Sequence, residues 1–123
     1  FTKGMYTLDT DITATNANAI AVKATGANTN VTITAGTFDG GSGGNNQCIH
    51  VANGATVTIK GGTFTVGSDA KGEGNSVIES NGGNIIIEGG FFQTDYNWRG
   101  FYYVLNQQNN NPGELSLSRV VHS

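Results

Sequence analysis

The chain has one proline, one cysteine and only 12% charged residues among its 123, and each scarcity excludes something. A single cysteine, Cys48, can close no intrachain disulfide and can furnish no four-cysteine zinc site. It reads as a small interior residue. Six Lys and Arg against nine Asp and Glu leave a net charge of −3, which supplies no basic stripe for phosphates, so no nucleic-acid partner is expected. No apolar run approaches the roughly 18 residues of a membrane-spanning helix, and no basic stretch followed by an apolar segment opens the chain. Neither membrane insertion nor a signal peptide is expected within these residues; the signal of an exported parent would lie outside them.

What is abundant is glycine, 19 residues of it. Glycine-rich linkers usually carry proline and charge as well, whereas here Val, Ile and Phe recur at regular places, so the glycines read as turns between ordered strands. The recurrence is explicit in "VTITAGTF" at 31–38, "VTIKGGTF" at 57–64 and "IIIEGGFF" at 85–92. Phe38 and Phe64 are 26 residues apart, Phe64 and Phe92 28. The opening "FTKG" matches Phe64 and Thr65 through Phe1 and Thr2, as the tail of an earlier copy. A period between 20 and 50 residues marks a solenoid or a similar array.

Each copy holds two strand-like pieces. One is the motif itself, whose alternation places Val31 and Ile33, Val57 and Ile59, Ile85 and Ile87, then Leu115 and Leu117 on the inner face. The other ends at or near asparagine: "CIHVAN" at 48–53, "SVIESN" at 76–81 and "FYYVLN" at 101–106, with "AIAVKA" at 19–24 as a looser version. β-Branched residues alternating with threonine between glycine clusters have neither the period nor the propensity of a helix. The fold class expected is all-β: a parallel β-solenoid of about four turns, one domain over 1–123, with turns near 1–38, 39–64, 65–92 and 93–123. Stacking turn on turn predicts an interior ladder of Phe38, Phe64 and Phe92, a glycine corner at Gly36, Gly62 and Gly90, and Lys60 lying over Glu88. It also predicts an amide ladder of Asn53, Asn81 and Asn106. The sequence carries neither a helical nor a polar cap, and so reads as a fragment, or as a subunit that meets neighbouring domains or copies of itself end to end.

The motif copies and their asparagine-ended strands resemble the right-handed parallel β-helix of the pectate-lyase-like superfamily. They are similar in particular to the Gly-Gly-x-Phe repeats of phage fibre and tailspike proteins and of bacterial adhesin-like surface proteins. The resemblance implies an extracellular, cell-surface or virion location. It is specific for architecture and leaves activity open.

After each phenylalanine the chain makes an excursion: residues 39–47, 65–75 and 93–100. In a solenoid these emerge from one corner as a single patch. Asp95, Tyr96, Asn97, Trp98 and Arg99 put two aromatic faces beside a carboxylate, an amide and a guanidinium, the mixture that stacks on sugar rings and bonds their hydroxyls. With Asp69 they form the candidate glycan patch; the competing reading folds Trp98 and Tyr96 back over the coil. Asp39, Asp69 and Asp95 recur on successive loops without a calcium-loop pattern, so no metal or other cofactor is expected. His50 alternates with Ile49 and Val51 and reads as an outward or satisfied residue, and Glu79 and Glu88 as outward strand residues; no catalytic residue is assigned. The function expected is a non-catalytic structural and binding module of a phage fibre or exported surface protein, its partner a polysaccharide or cell-surface glycan. The alternatives are a self-stacking filament subunit and, third, a polysaccharide lyase or hydrolase fragment.

The tail raises a separate question. Where another "IKGGTF" is due the chain reads "SRVVHS" at 118–123, and one choice of codons that encodes those residues, TCA-AGG-GTG-GTA-CAT-TC, spells IKGGTF when read one base earlier from a preceding A. On that reading the tail is a frame slip through a further repeat, and Val120 and Val121 are poorly placed; coincidence is the alternative, and the gene sequence decides.

Overall fold

The computed structural model describes residues 1–67, 75–94, 105–107, 114–117 and 121–122. All of its strand ladders are parallel. Every turn contributes one strand to each of three sheets. The first carries β1 (Gly4–Leu8), β4 (Thr29–Ile33), β7 (Thr56–Ile59), β10 (Asn84–Ile87) and β13 (Glu114–Leu117). The second carries β2 (Ile12–Thr13), β5 (Thr37–Asp39), β8 (Thr63–Val66), β11 (Phe91–Thr94) and β14 (Val121–His122). The third carries β3 (Ile20–Thr25), β6 (Gln47–Ala52), β9 (Ser76–Asn81) and β12 (Leu105–Gln107). The chain is a parallel β-solenoid whose three turns β1 to β3, β4 to β6 and β7 to β9 are continued by a further set, β10 to β12, and by β13 and β14.

Register explains the core. Val31, Val57 and Ile85 align, as do Ile33, Ile59 and Ile87, and in the third sheet Val22, Ile49 and Ile78. All are buried. Because strands in a sheet lie about 4.8 Å apart, like residues meet like, and each buried Val, Ile or Phe contributes roughly 1.5–3 kcal/mol. Phe38, Phe64 and Phe92 form the expected ladder, with ring centroids 5.1 Å apart at both steps and planes within 16° of parallel. Cys48 is buried, and its thiol donates to the Phe38 carbonyl at 3.2 Å. The corner before each phenylalanine is glycine for a backbone reason: Gly36, Gly62 and Gly90 have φ of 113°, 108° and 106°, a region that residues with a Cβ rarely enter.

Several expectations need correction. The expected first turn, 1–38, contains more than one coil. "YTLDTDIT" is a diverged copy without the glycine pair or the phenylalanine: Tyr6, Thr7 and Leu8 pair with Val31, Thr32 and Ile33, and Ile12 with Phe38. Ile12, not Phe1, continues the phenylalanine column. Phe1 instead runs beside β3, its ammonium donating to the Lys23 carbonyl and its own carbonyl accepting from Thr25 N–H. Its ring tilts against Tyr6 at 4.5 Å. Lys60 and Glu88 are both exposed, and no ion pair joins them among the described residues; solvent screening and side-chain entropy leave little to hold such a pair together. Asn53, at φ 54°, donates its side chain to Thr25 Oγ1, and Asn106 pairs with Glu79 inside a strand rather than with Asn81 at a corner. Glu79 is not exposed: only 4% of it is accessible, in a strand whose residues 76–80 are all buried. In the tail, Val121 pairs with Phe91 and His122 takes the register position above Phe92, so Val121 is held in a strand; residues 118–120 lie outside the described residues.

Candidate functional site

The three corners of the coil differ in one respect. Between the first and second sheets the connections are 9–11, 34–36, 60–62 and 88–90, three residues each. Between the third and first they are 26–28, 53–55, 82–83 and 108–113, two or three residues except for the six of the last. Between the second and third they are 14–19, 40–46, 67–75 and 95–104, lengthening from six residues through seven and nine to ten. The corner that is longest at every turn of a repeat array is where insertions leave the core undisturbed and where binding residues are displayed.

A buried amide ladder anchors that corner. Asn46 Oδ1 accepts from Asn18 N–H at 3.0 Å, and Asn46 Nδ2 donates to the carbonyls of Asn16, one turn below, and Gly40, in its own loop. Asn75 repeats the pattern one turn up: its Oδ1 accepts from Asn46 N–H at 2.7 Å, and its Nδ2 donates to Gly43 and Gly67. Asn46 is wholly buried and Asn75 nearly so. Sequence reasoning placed the ladder at Asn53 and missed this one. The signal was present, since Asn46 and Asn75 each stand one residue before a strand of the third sheet, β6 and β9.

Beside the anchored loops lies a groove of about 330 Å³, lined by Asp39, Gly41, Ser42, Thr65, Val66, Gly67 and Gln93. Its floor is the outer face of the second sheet, where Thr13, Asp39, Thr65 and Gln93 are successive register partners. Asp39 Oδ1 accepts from Gly41 N–H at 2.8 Å. Gly41 has φ 85°, and a Cβ there would stand 2.8 Å from the Ala14 carbonyl oxygen and 2.9 Å from Asn46 Nδ2, so only glycine fits the groove wall. The candidate glycan patch, Asp69 and Asp95, Tyr96, Asn97, Trp98 and Arg99, lies outside the described residues. Its two segments follow directly from groove residues: Asp69 comes two residues after Gly67 and Asp95 two after Gln93.

A second polar column runs up the outer face of the third sheet, where Lys23, His50 and Glu79 are register partners. His50 Nδ1 is 2.7 Å from Gln47 Oε1 and 3.9 Å from Glu79 Oε1. The short contact is a donation from a neutral imidazole carrying its proton on Nδ1. Burial, reinforced by the Lys23 charge, holds the His50 pKa below the ordinary histidine value, and the Glu79 carboxylate does not reverse this. Folding therefore favours neutral His50, so its contribution to stability is complete above the unfolded-state value near 6.5 and is lost as pH falls from there through the folded-state value. The urea midpoint is expected to drop between about pH 7.5 and 5, and to drop less in His50→Gln. Equal drops in both proteins would remove His50 from the account.

Burial pushes the Cys48 thiol far up, with a smaller contribution from the Asp39 charge, so it is no nucleophile. Among the described residues no three His, Cys, Asp or Glu side chains gather closely enough to hold a metal ion, and no helix is long and apolar enough to cross a membrane. Compared with protein-family models, with curated proteins and with solved structures, the chain matches none.

Proposed function

We propose that this chain is a non-catalytic structural and binding module of a phage fibre or exported cell-surface protein, built as the right-handed parallel β-helix it resembles. It holds a polysaccharide or cell-surface glycan at the corner between its second and third sheets. The observation that carries this reading is the length of that one corner, six to ten residues and longer at each successive turn, beside a polar groove on a stacked and rigid floor, while the corner between the first and second sheets stays at three residues and that between the third and first at two or three until β10. A rigid scaffold matters because loops displayed from it lose less freedom on binding. The groove's chemistry also supports a non-catalytic role: among its described lining residues there is one carboxylate, Asp39, whereas glycoside hydrolysis ordinarily uses two facing across the scissile bond.

Glycan-array binding by the wild type is expected to be lost in Trp98→Ala with the urea midpoint unchanged. Unaltered binding, or a collapse of stability, would return Trp98 to a packing role.

A second reading, a self-stacking filament subunit, draws on the first turn. β1, β2 and β3 each lie at the end of their sheet, and Met5 is 85% exposed with Phe1 and Tyr6 more than a third exposed. Open strand edges beside exposed apolar side chains template pairing with another chain. Sedimentation of the purified chain decides between a stable monomer, which excludes the filament, and concentration-dependent growth.

A further inference from the structure

We infer that Asp39 makes the groove selective for the charge of its sugar: it favours chains bearing a free amino group, accepts neutral N-acetylated ones less well and rejects uronic acids. This rests on the reading that the groove binds glycan, and it adds the chemical class.

The argument begins with the lining. Six of its seven described residues are neutral: Gly41, Ser42, Thr65, Val66, Gly67 and Gln93. They offer hydroxyl and amide groups that hydrogen-bond sugar hydroxyls whatever the sugar's charge. Asp39 alone discriminates. It stands in the register column between Thr13 and Thr65, with Gln93 one step further, so a ligand resting on the floor lies across or beside it.

The carboxylate is also held in a binding-ready state. Oδ1 is committed to the Gly41 N–H, a bond that locks the side chain against a loop segment that cannot take a Cβ. Oδ2 has no hydrogen-bond partner and Asp39 no ion-pair partner among the described residues. A carboxylate half withdrawn from water, fixed by one bond and open at its other oxygen, is an acceptor for an ammonium group. Charge-assisted hydrogen bonds are the stronger kind, and they strengthen further where water is partly excluded. A uronate placed in the same groove brings like charge to a site with no described cation to offset it.

Three soluble probes test this: oligomers of glucosamine, of N-acetylglucosamine and of galacturonate, titrated into wild type and Asp39→Asn by calorimetry at low and high salt. Asparagine keeps an oxygen for the Gly41 N–H, so the loop retains its anchor; a matched urea midpoint checks this. Wild type is expected to bind the glucosamine oligomer about tenfold or more tighter than the N-acetylated one, the gain of one hydrogen bond to a charged group. Galacturonate is expected to be weakest. The amino-sugar advantage is expected to shrink in high salt and to disappear in Asp39→Asn. Galacturonate binding as tightly as glucosamine, or an order of preference that survives Asp39→Asn, overturns the selectivity and leaves glycan binding standing. Failure of all three probes to bind overturns both.

Discussion

Phe64→Ala is expected to lower the unfolding free energy by about 3–5 kcal/mol, the usual range for deleting a wholly buried phenylalanine, with the upper end more fitting here. The side chain is fully buried and stacks on two rings, Phe38 below and Phe92 above, each at 5.1 Å. Removing it leaves a ring-sized gap and breaks both aromatic contacts, each worth about 0.5–1.5 kcal/mol beyond burial. The surrounding coil cannot close over the gap. Its walls are strands tied in register on either side, and Gly62 and Gly90, whose corners abut the Phe64 ring, carry no side chain to lean in. Phe38→Ala forfeits one ring contact rather than two, since its lower neighbour in the column is Ile12, and should cost less by about one such contact. Urea unfolding followed by far-ultraviolet circular dichroism measures both. A loss below about 1 kcal/mol for Phe64, or a larger loss for Phe38, would show that the column is not the continuous element the stacking implies. Turns in an array contact only their neighbours, so a defect in the middle of the column also uncouples the two halves. The unfolding transition of Phe64→Ala is therefore expected to broaden as well as shift.

How much of this was legible depended on whether a residue's role repeats. Val57, Ile59, Gly62 and Phe64 could be placed because each has a counterpart one period away, and stacking turns repetition in sequence into contact in space. The same logic misfired on the first turn. Tyr6 and Ile12 occupy the places of valine and phenylalanine, yet without a glycine pair between them the copy did not stand out, and Phe1 was assigned to a column it does not join. It misfired again on polar residues, where type alone does not fix direction. Asn53 and Asn46 stand at opposite ends of one strand, β6; the first turns its chain at positive φ and bonds a threonine hydroxyl, while the second is buried among carbonyls. Period cannot tell these apart, because the difference lies in what the loop preceding Asn46 has to satisfy. The groove was invisible for a related reason. Asp39, Thr65 and Gln93 share no residue type, and only register brings them into line.

The largest polar effect should come from Asn46. Its side chain makes three hydrogen bonds from a position with no exposure to water: it accepts from Asn18 N–H and donates to the carbonyls of Asn16 and Gly40. Asn46→Ala removes all three; the Gly40 carbonyl is left in a buried site, whereas Asn16 and Asn18 are exposed and the Asn18 N–H keeps the Gly44 carbonyl, so a loss of about 1–3 kcal/mol is expected. Asn46→Asp separates geometry from chemistry. It keeps shape and the acceptor for Asn18 but loses both donors, and turns a carboxylate toward two carbonyl oxygens in a buried site, so it is expected to be no better than alanine and worst at neutral pH. Acid should partly rescue it, because the protonated form regains one donor. Asn75 holds the next loop with the same pattern of bonds, so Asn75→Ala should cost a comparable amount. The functional consequence follows from Gly40, whose carbonyl Asn46 holds and which sits between Asp39 and Gly41 at the groove. Hydrogen exchange at the Gly41 and Asn18 amides is expected to rise in Asn46→Ala well before the strands exchange, since the loop is released while the ladder of strands stays paired. If those amides remain as protected as in the wild type, the amide ladder is not what fixes the corner, and the rigidity of the groove must come from the strands alone.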